Sequence, residues 1–353
     1  MKPAVLLWMM GMRGVEDIAE GLLDGCDIEI LSLEPSTAAL KKRGIPHRSL
    51  WDFLPAEAKT RSLDTHGRYR DQIQRRLAEP ALRAAYPDVE DATWITLMAR
   101  LDRVLDDNLL MILLMADLVR SAAAQTDLRM IVVSEDVMRD TRTVVETATR
   151  LGIPSLQVVH GVPCGTPTTH LAHTATYVAA YSEYVKQIYA SFGIDPTRIF
   201  VTGNPGWDRF ARPPRSRMNN EVRTYMGLEP ERPVLTYAMT NSTRWSTETL
   251  AHPQHHIENA EAVVDAFGGL ARRHPHWQFM LRPRPGDQSA PVQRLMERAQ
   301  EAGIKRLIND QLPVYESLVI TDVMVCTQSN IGLEALLLGK PVVNVDIAAF
   351  SGN

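Results

Sequence analysis

The chain has 353 residues, enough for two domains of ordinary size with real apolar cores. At 45% hydrophobic and 23% charged it has the balance of a soluble globular protein, and a formal net charge of -4 lacks the basic excess of a nucleic-acid binder. Three widely spaced cysteines, Cys26, Cys164 and Cys326, form neither a disulfide framework nor a zinc knuckle and suit a reducing cytoplasm.

The amino-terminal apolar run, Pro3 to Met10, is short and has no small-residue cleavage site, so it reads as a buried first strand rather than a signal peptide. Gly11 and Gly14 open a helix from Val15 to Leu23, and Ile28 to Leu33 follows as a second strand. Strand, helix, strand in that order favours parallel pairing. From Trp51 to Ala124 the chain is charged and helical in pattern with no clear strand, which predicts a helical insertion over about residues 51–125. Its stretch Val104 to Val119 is too short and too acidic to span a bilayer and predicts a core helix. Peripheral attachment to a membrane surface stays compatible with the sequence.

The alternation resumes with a strand at Met130 to Ser134 and a helix from Asp140 to Leu151, stopped by Gly152 and Pro154. Strands at Ser155 to Val159, Tyr177 to Tyr181 and Ile199 to Thr202 follow, with a helix from Glu183 to Phe192 between the last two. The run Arg212 to Arg217, RPPRSR, marks a compositional break and a linker over 212–232. A second series then begins: strands at Val234 to Met239, Gln278 to Arg282 and Val323 to Cys326, separated by helices near Glu258 to His274 and Val292 to Ala302. The expected architecture is α/β, with two doubly wound Rossmann-like domains, 1–211 and 233–353, facing a cleft. In such sheets ligands sit at the carboxyl ends of the strands.

The segment Leu312 to Asp346 carries the strongest site signal. A turn at Thr327 to Asn330 places Ser329 and Asn330 at a helix amino end, whose unpaired N–H groups and partial positive charge suit a phosphate. Glu334, about one turn in, suits a sugar hydroxyl. Plain N-capping is the alternative. Arg282 and Arg284, in LRPRPGD after another strand, suit phosphate or carboxylate. Thr240 and Asn241, in TNSTR, follow the first strand of the same domain and read as phosphate or base contacts, or as a turn.

In the first domain, Ser134-Glu135-Asp136 and His160-Gly161 follow strands of one βαβ unit. A carboxylate and a histidine there form a general-base set from Asp136, Glu135 and His160; a capping Asp136 and a structural His160 are the alternative. Gly11 and Gly14 would admit a substrate close to the backbone. Gly203 and Asn204, in GNPG after the last strand, read as ligand contacts or as a hinge. No dinucleotide, P-loop or nucleophile-elbow motif is present. No Asp-x-Asp pair supplies the usual metal carboxylates of a sugar transferase, and the histidines of HPQHH lack partner ligands, so no metal is expected.

The run His160-Gly161, then VTGNPGWD (Val201 to Asp208), then LRPRPGD, then the Ser329 to Glu334 turn resembles GT-B-fold enzymes of bacterial surface-polysaccharide synthesis. That group includes capsule polysaccharide glycosyltransferases, glycerophosphate polymerases and the non-hydrolysing UDP-GlcNAc 2-epimerase. The resemblance covers about Met130 to Asp346. It implies a metal-independent glycosyltransferase that moves a sugar from a nucleotide sugar, bound as substrate and not as cofactor, to a glycan or lipid-linked acceptor. A 2-epimerase, a glycerophosphotransferase and a non-catalytic scaffold are the alternatives.

Two departures stand out. Arg282-Pro283-Arg284-Pro285 falls where the group often has Lys/Arg-x-His-Pro, so Arg284 replaces a histidine. TNSTR replaces the His-Arg-x-Glu-Asn run of the epimerase and argues against that chemistry. The sequence stops at Asn353, just past a strand, where the group usually continues with closing helices, so the second domain is expected to lack them.

Overall fold

The structure is a computed structural model and describes residues 2–9, 14–161, 173–211, 216–239, 253–284, 289–306, 312–327 and 329–345. It divides into two compact units, Met1–Gly206 and Trp207–Asn353.

The first unit holds a seven-stranded sheet: β1 (Pro3–Trp8), β2 (Glu29–Ser32), β3 (Arg48–Ser49), β4 (Asp127–Val133), β5 (Ser155–Val158), β6 (Tyr177–Ala180) and β7 (Ile199–Val201). The order is β3-β2-β1-β4-β5-β6-β7, with every paired neighbour parallel. β1 shows why: all but its first residue are buried, so it needs cover on both faces. Leu6 and Trp8 join a core with Leu31, Leu118 and Val133, while Val5 and Leu7 join another with Val15, Ala19 and Leu40. The strand order reverses between β1 and β4, and this is the switch point of the sheet.

The expected insertion is helical throughout its long elements: α3 (Ala58–Leu77), α4 (Pro80–Ala84) and α5 (Asp91–Gln125), which follow α1 (Val15–Gly25) and α2 (Ser36–Arg43). α5 runs for 35 residues, but only its last turns, with Met115, Leu118, Val119 and Ala122, enter the core under the sheet. The expected core helix at Val104 to Val119 is thus buried only at its end. Among the described residues no helix is long and apolar enough to cross a membrane.

The second unit holds a five-stranded parallel sheet in the order β10-β9-β8-β11-β12. Its strands are β8 (Val234–Ala238), β9 (Gln278–Arg282), β10 (Lys305–Arg306), β11 (Val323–Cys326) and β12 (Val342–Asn344). The order reverses between β8 and β11.

Residues 212–232 were expected to be a linker. Ser216–Tyr225 is instead a helix, α8, after α6 (Arg139–Arg150) and α7 (Glu183–Ser191), and it packs on α11 (Val314–Ile320). The cause is Arg223, which is buried and donates to the carbonyls of Pro230 and Arg232, each at 2.8 Å, and to Asp322 Oδ2 at 2.7 Å. The same Asp322 oxygen accepts from the N–H of Val234 at 2.8 Å. One guanidinium therefore ties α8 to the start of both central strands, and the first unit ends at Gly206 rather than Ala211.

Candidate functional site

β4 and β5 pair in parallel, with Val133 opposite Gln157, so their carboxyl ends emerge side by side. The three residues after β4 each tie that end to a different part of the unit. The Ser134 carbonyl oxygen lies 2.9 Å from Nδ1 of His160. A carbonyl only accepts, so Nδ1 carries the proton, and in the neutral ring Nε2 carries the lone pair.

Glu135 Oε2 accepts from the N–H groups of Val137 and Met138 at 2.9 and 2.8 Å, and Oε1 accepts from the Thr141 hydroxyl at 2.5 Å. It thereby occupies the amino end of α6, where a helix presents unpaired donors. Asp136 is only 1% exposed. Its Oδ2 accepts from the N–H groups of Thr174 and Ala175 at 2.6 and 2.8 Å. Nδ1 of His173 stands 2.9 Å from the same oxygen.

Burial pushes the Asp136 carboxyl up, but the His173 contact and charge and the two backbone donors outweigh it and hold the carboxyl below its ordinary value. Both carboxylates expected as bases are thus committed to the protein's own donors. His173 was missed by the sequence reading. No spacing rule links positions 136 and 173; the only available signal was that a carboxylate closing a buried strand needs donors.

Gly14 and the Gly203 to Gly206 turn belong together. Gly14 has φ +92°, and a Cβ there would stand 2.8 Å from the Gly206 nitrogen. What approaches Gly14 is therefore the chain's own backbone, not a substrate as expected. Asn204 is buried, and its Oδ1 accepts from the Gly206 N–H at 3.0 Å, so its side chain shapes that turn. Gly203 supplies the turn's left-handed residue, with φ +78°. Gly11 lies outside the described residues.

In the second unit, α12 (Asn330–Leu337) starts just past the end of β11, at the switch point of the sheet. Helices α9 (Pro253–Arg273) and α10 (Ala290–Glu301) precede it in this unit. Ser329 is the N-cap residue in extended backbone; its side chain makes no capping bond, and no acidic residue stands in the first turn. Glu334 is buried on the helix face that also carries Ile331, Gly332 and Ala335. A Cβ at Gly332 would stand 2.9 Å from Cys326 Sγ, so the missing side chain lets α12 lie close against β11. Burial raises the Cys326 thiol to about 11, which keeps that neighbour uncharged.

Arg282, expected on a phosphate, is buried at the end of β9 and donates through Nη1 to the Leu312 carbonyl at 3.0 Å. It holds the chain that leads into α11. Arg284 is exposed. β8 lies between β9 and β11, so Arg282 and Ser329 sit two strands apart rather than on adjoining strand ends. Thr240 and Asn241, which follow β8, lie outside the described residues.

Residues 126–348, more than half of the chain, match the family described as CDP-Glycerol:Poly(glycerophosphate) glycerophosphotransferase. No curated protein matches the chain. The UDP-GlcNAc 2-epimerase of Neisseria meningitidis, solved with UDP-GlcNAc, is 12% identical, with a TM-score of 0.60 covering 98% of this chain and 83% of that one. HepE of Anabaena, solved with UDP and glucose, is 16% identical, with a TM-score of 0.55 and coverages of 98% and 80%. S. aureus MnaA, solved with UDP, is 11% identical, with a TM-score of 0.58 and coverages of 98% and 79%. At such identities the likeness speaks for the fold alone: two Rossmann-like units of the GT-B-like class.

Proposed function

The chain belongs to the CDP-glycerol:poly(glycerophosphate) glycerophosphotransferase family, and from that membership we propose that it transfers a phosphate-linked polyol from a nucleotide-activated donor to an acceptor hydroxyl. The observation that carries the reading is the amino end of α12. It stands at a sheet switch point with no side-chain cap and no acidic residue in its first turn. By contrast, α1 begins with Glu16 and Asp17, and the amino end of α6 already holds the Glu135 carboxylate. A donor phosphate is favoured where donors and positive dipole are not already matched by carboxylate.

In this reading the N–H groups at Ser329 and Asn330 take the departing nucleotide phosphate, with the exposed Arg284 as counter-charge and Glu334 on the ribose. Thr240 and Asn241 contact the base or phosphates. His160 is the base: the acceptor hydroxyl gives its proton to Nε2 while its oxygen attacks the phosphorus that carries the polyol. The bond to the leaving nucleotide phosphate breaks, and charge on that phosphate is met by the helix end. Asp136 and Glu135 keep the strand end in place, Arg282 holds the loop before α11, and Gly203 and Asn204 shape their turn.

A second reading, sugar transfer to a glycan or lipid-linked acceptor as in capsule synthesis, uses the same parts, with attack at the anomeric carbon. It is supported by the fold shared with HepE, which is also solved with UDP-glucose. Incubation with CDP-glycerol or UDP-sugars and a glycerophosphate-primed acceptor separates the two. Release of CMP with chain extension fits the first reading, and release of UDP the second. No nucleotide binding by thermal shift would sink both, because a ligand of the native state must raise its apparent stability.

A further inference from the structure

Asp136, His173 and His160 belong to one closed circuit of polar contacts. Asp136 holds the N–H groups of Thr174 and Ala175, immediately before β6. β6 in turn holds the segment that carries His160, because the Val159 N–H donates to the Ala179 carbonyl at 3.0 Å. The circuit returns through the ring of His160 to the Ser134 carbonyl, two residues before Asp136. Ser155 and Thr176 reinforce it: each N–H donates to the other's hydroxyl, at 3.1 and 3.0 Å.

The carboxylate at the centre of the circuit is bound one-sidedly. Oδ2 has the two N–H donors and the His173 contact, while Oδ1, equally buried, has no hydrogen-bond partner, and neither has Nε2 of His173. Burying an unmatched acceptor and an unmatched ring nitrogen is costly. An aliphatic residue would fill such a place without that cost, so a role beyond packing explains the pair better.

We propose that Asp136 and His173 are positioning residues for His160: by fastening residues 173–175 to the end of β4, they keep the Ser134 carbonyl where it fixes the tautomer of the His160 ring. The proposal rests on the reading of His160 as the base, but its test does not depend on turnover. Long-range nitrogen–proton NMR of the imidazole rings separates protonated from unprotonated nitrogens, and Asp136→Asn and His173→Gln are near-isosteric variants. A His160→Gln spectrum assigns the resonance.

In the neutral imidazole of the wild type, Nδ1 of His160 reads as protonated and Nε2 as unprotonated. In either variant that remains folded by circular dichroism, the two nitrogens move toward averaged shifts. Turnover, where the wild type shows it, then falls about tenfold, a part of the factor a general base supplies, with KM for the nucleotide donor unchanged. An unchanged His160 signature in both folded variants overturns the proposal and makes the pair a stability element only. Absence of wild-type turnover would count against the transferase reading alone, since the spectrum needs no substrate.

Discussion

Ser134 and His160 meet across the carboxyl ends of β4 and β5, with the carbonyl oxygen of the first 2.9 Å from Nδ1 of the second. That contact places a proton on Nδ1, and it exists because the two strands pair in parallel register. The neighbouring carboxylates meet no such need: both oxygens of Glu135 accept from backbone N–H groups and Thr141, and Oδ2 of Asp136 accepts from two backbone N–H groups.

His160→Gln should lower turnover by about 100-fold or more, the scale of a lost general base. Nucleotide affinity measured by calorimetry should stay unchanged, because the proposed phosphate seat lies in the other unit. Loss of nucleotide binding in a folded His160→Gln protein would contradict this division of roles.

Asp136 sets an acid limit on stability. Its folded carboxyl lies below the ordinary value, so the unfolded chain binds its proton first as pH falls. The stabilisation is complete above the unfolded value of about 3.9 and is lost as pH drops through the lower folded value. The melting temperature of the wild type should therefore decline below about pH 4 more steeply than that of Asp136→Asn, with the two curves converging in acid. Parallel curves would mean that the group contributes nothing to the acid limit.

Gly332→Ala tests the seating of α12. A methyl group there meets Cys326 Sγ at 2.9 Å, and overpacking costs roughly 1–3 kcal/mol, against a helix-propensity gain of about 1 kcal/mol for replacing glycine. The substitution should destabilise the wild type slightly. In a Cys326→Ala background the sulfur is gone, so the sign should reverse and the same change should stabilise. Urea denaturation of the four proteins measures this, and additive effects would show that the two residues do not touch.

The strands and the helical insertion were legible because parallel strands buried on both faces are apolar runs bounded by glycine and proline, as at Pro3 to Met10 and Ser155 to Val159. Pairings across the sequence were not. Asp136 and His173 are brought together only by the order of β4, β5 and β6, and β8 separates Arg282 from Ser329 although all three strand ends read alike in sequence. Composition misled at RPPRSR, which suggested a linker where Ser216–Tyr225 forms a helix tied down by the buried Arg223. Gly14 was read as a place where a substrate comes close, but what approaches it is the backbone of Gly206.

The central claim is that the amino end of α12 holds a nucleotide phosphate, and Ser329→Asp tests it most directly. Aspartate is a favoured N-cap and complements the helix dipole, so the variant should be as stable as the wild type or slightly more so. The same carboxylate would repel a phosphate. Calorimetry with CDP and UDP should show binding to the wild type and at least about tenfold weaker binding to Ser329→Asp, a difference near 1.4 kcal/mol. Equal affinity of the two proteins for the nucleotide, with the variant fully folded, would contradict the account.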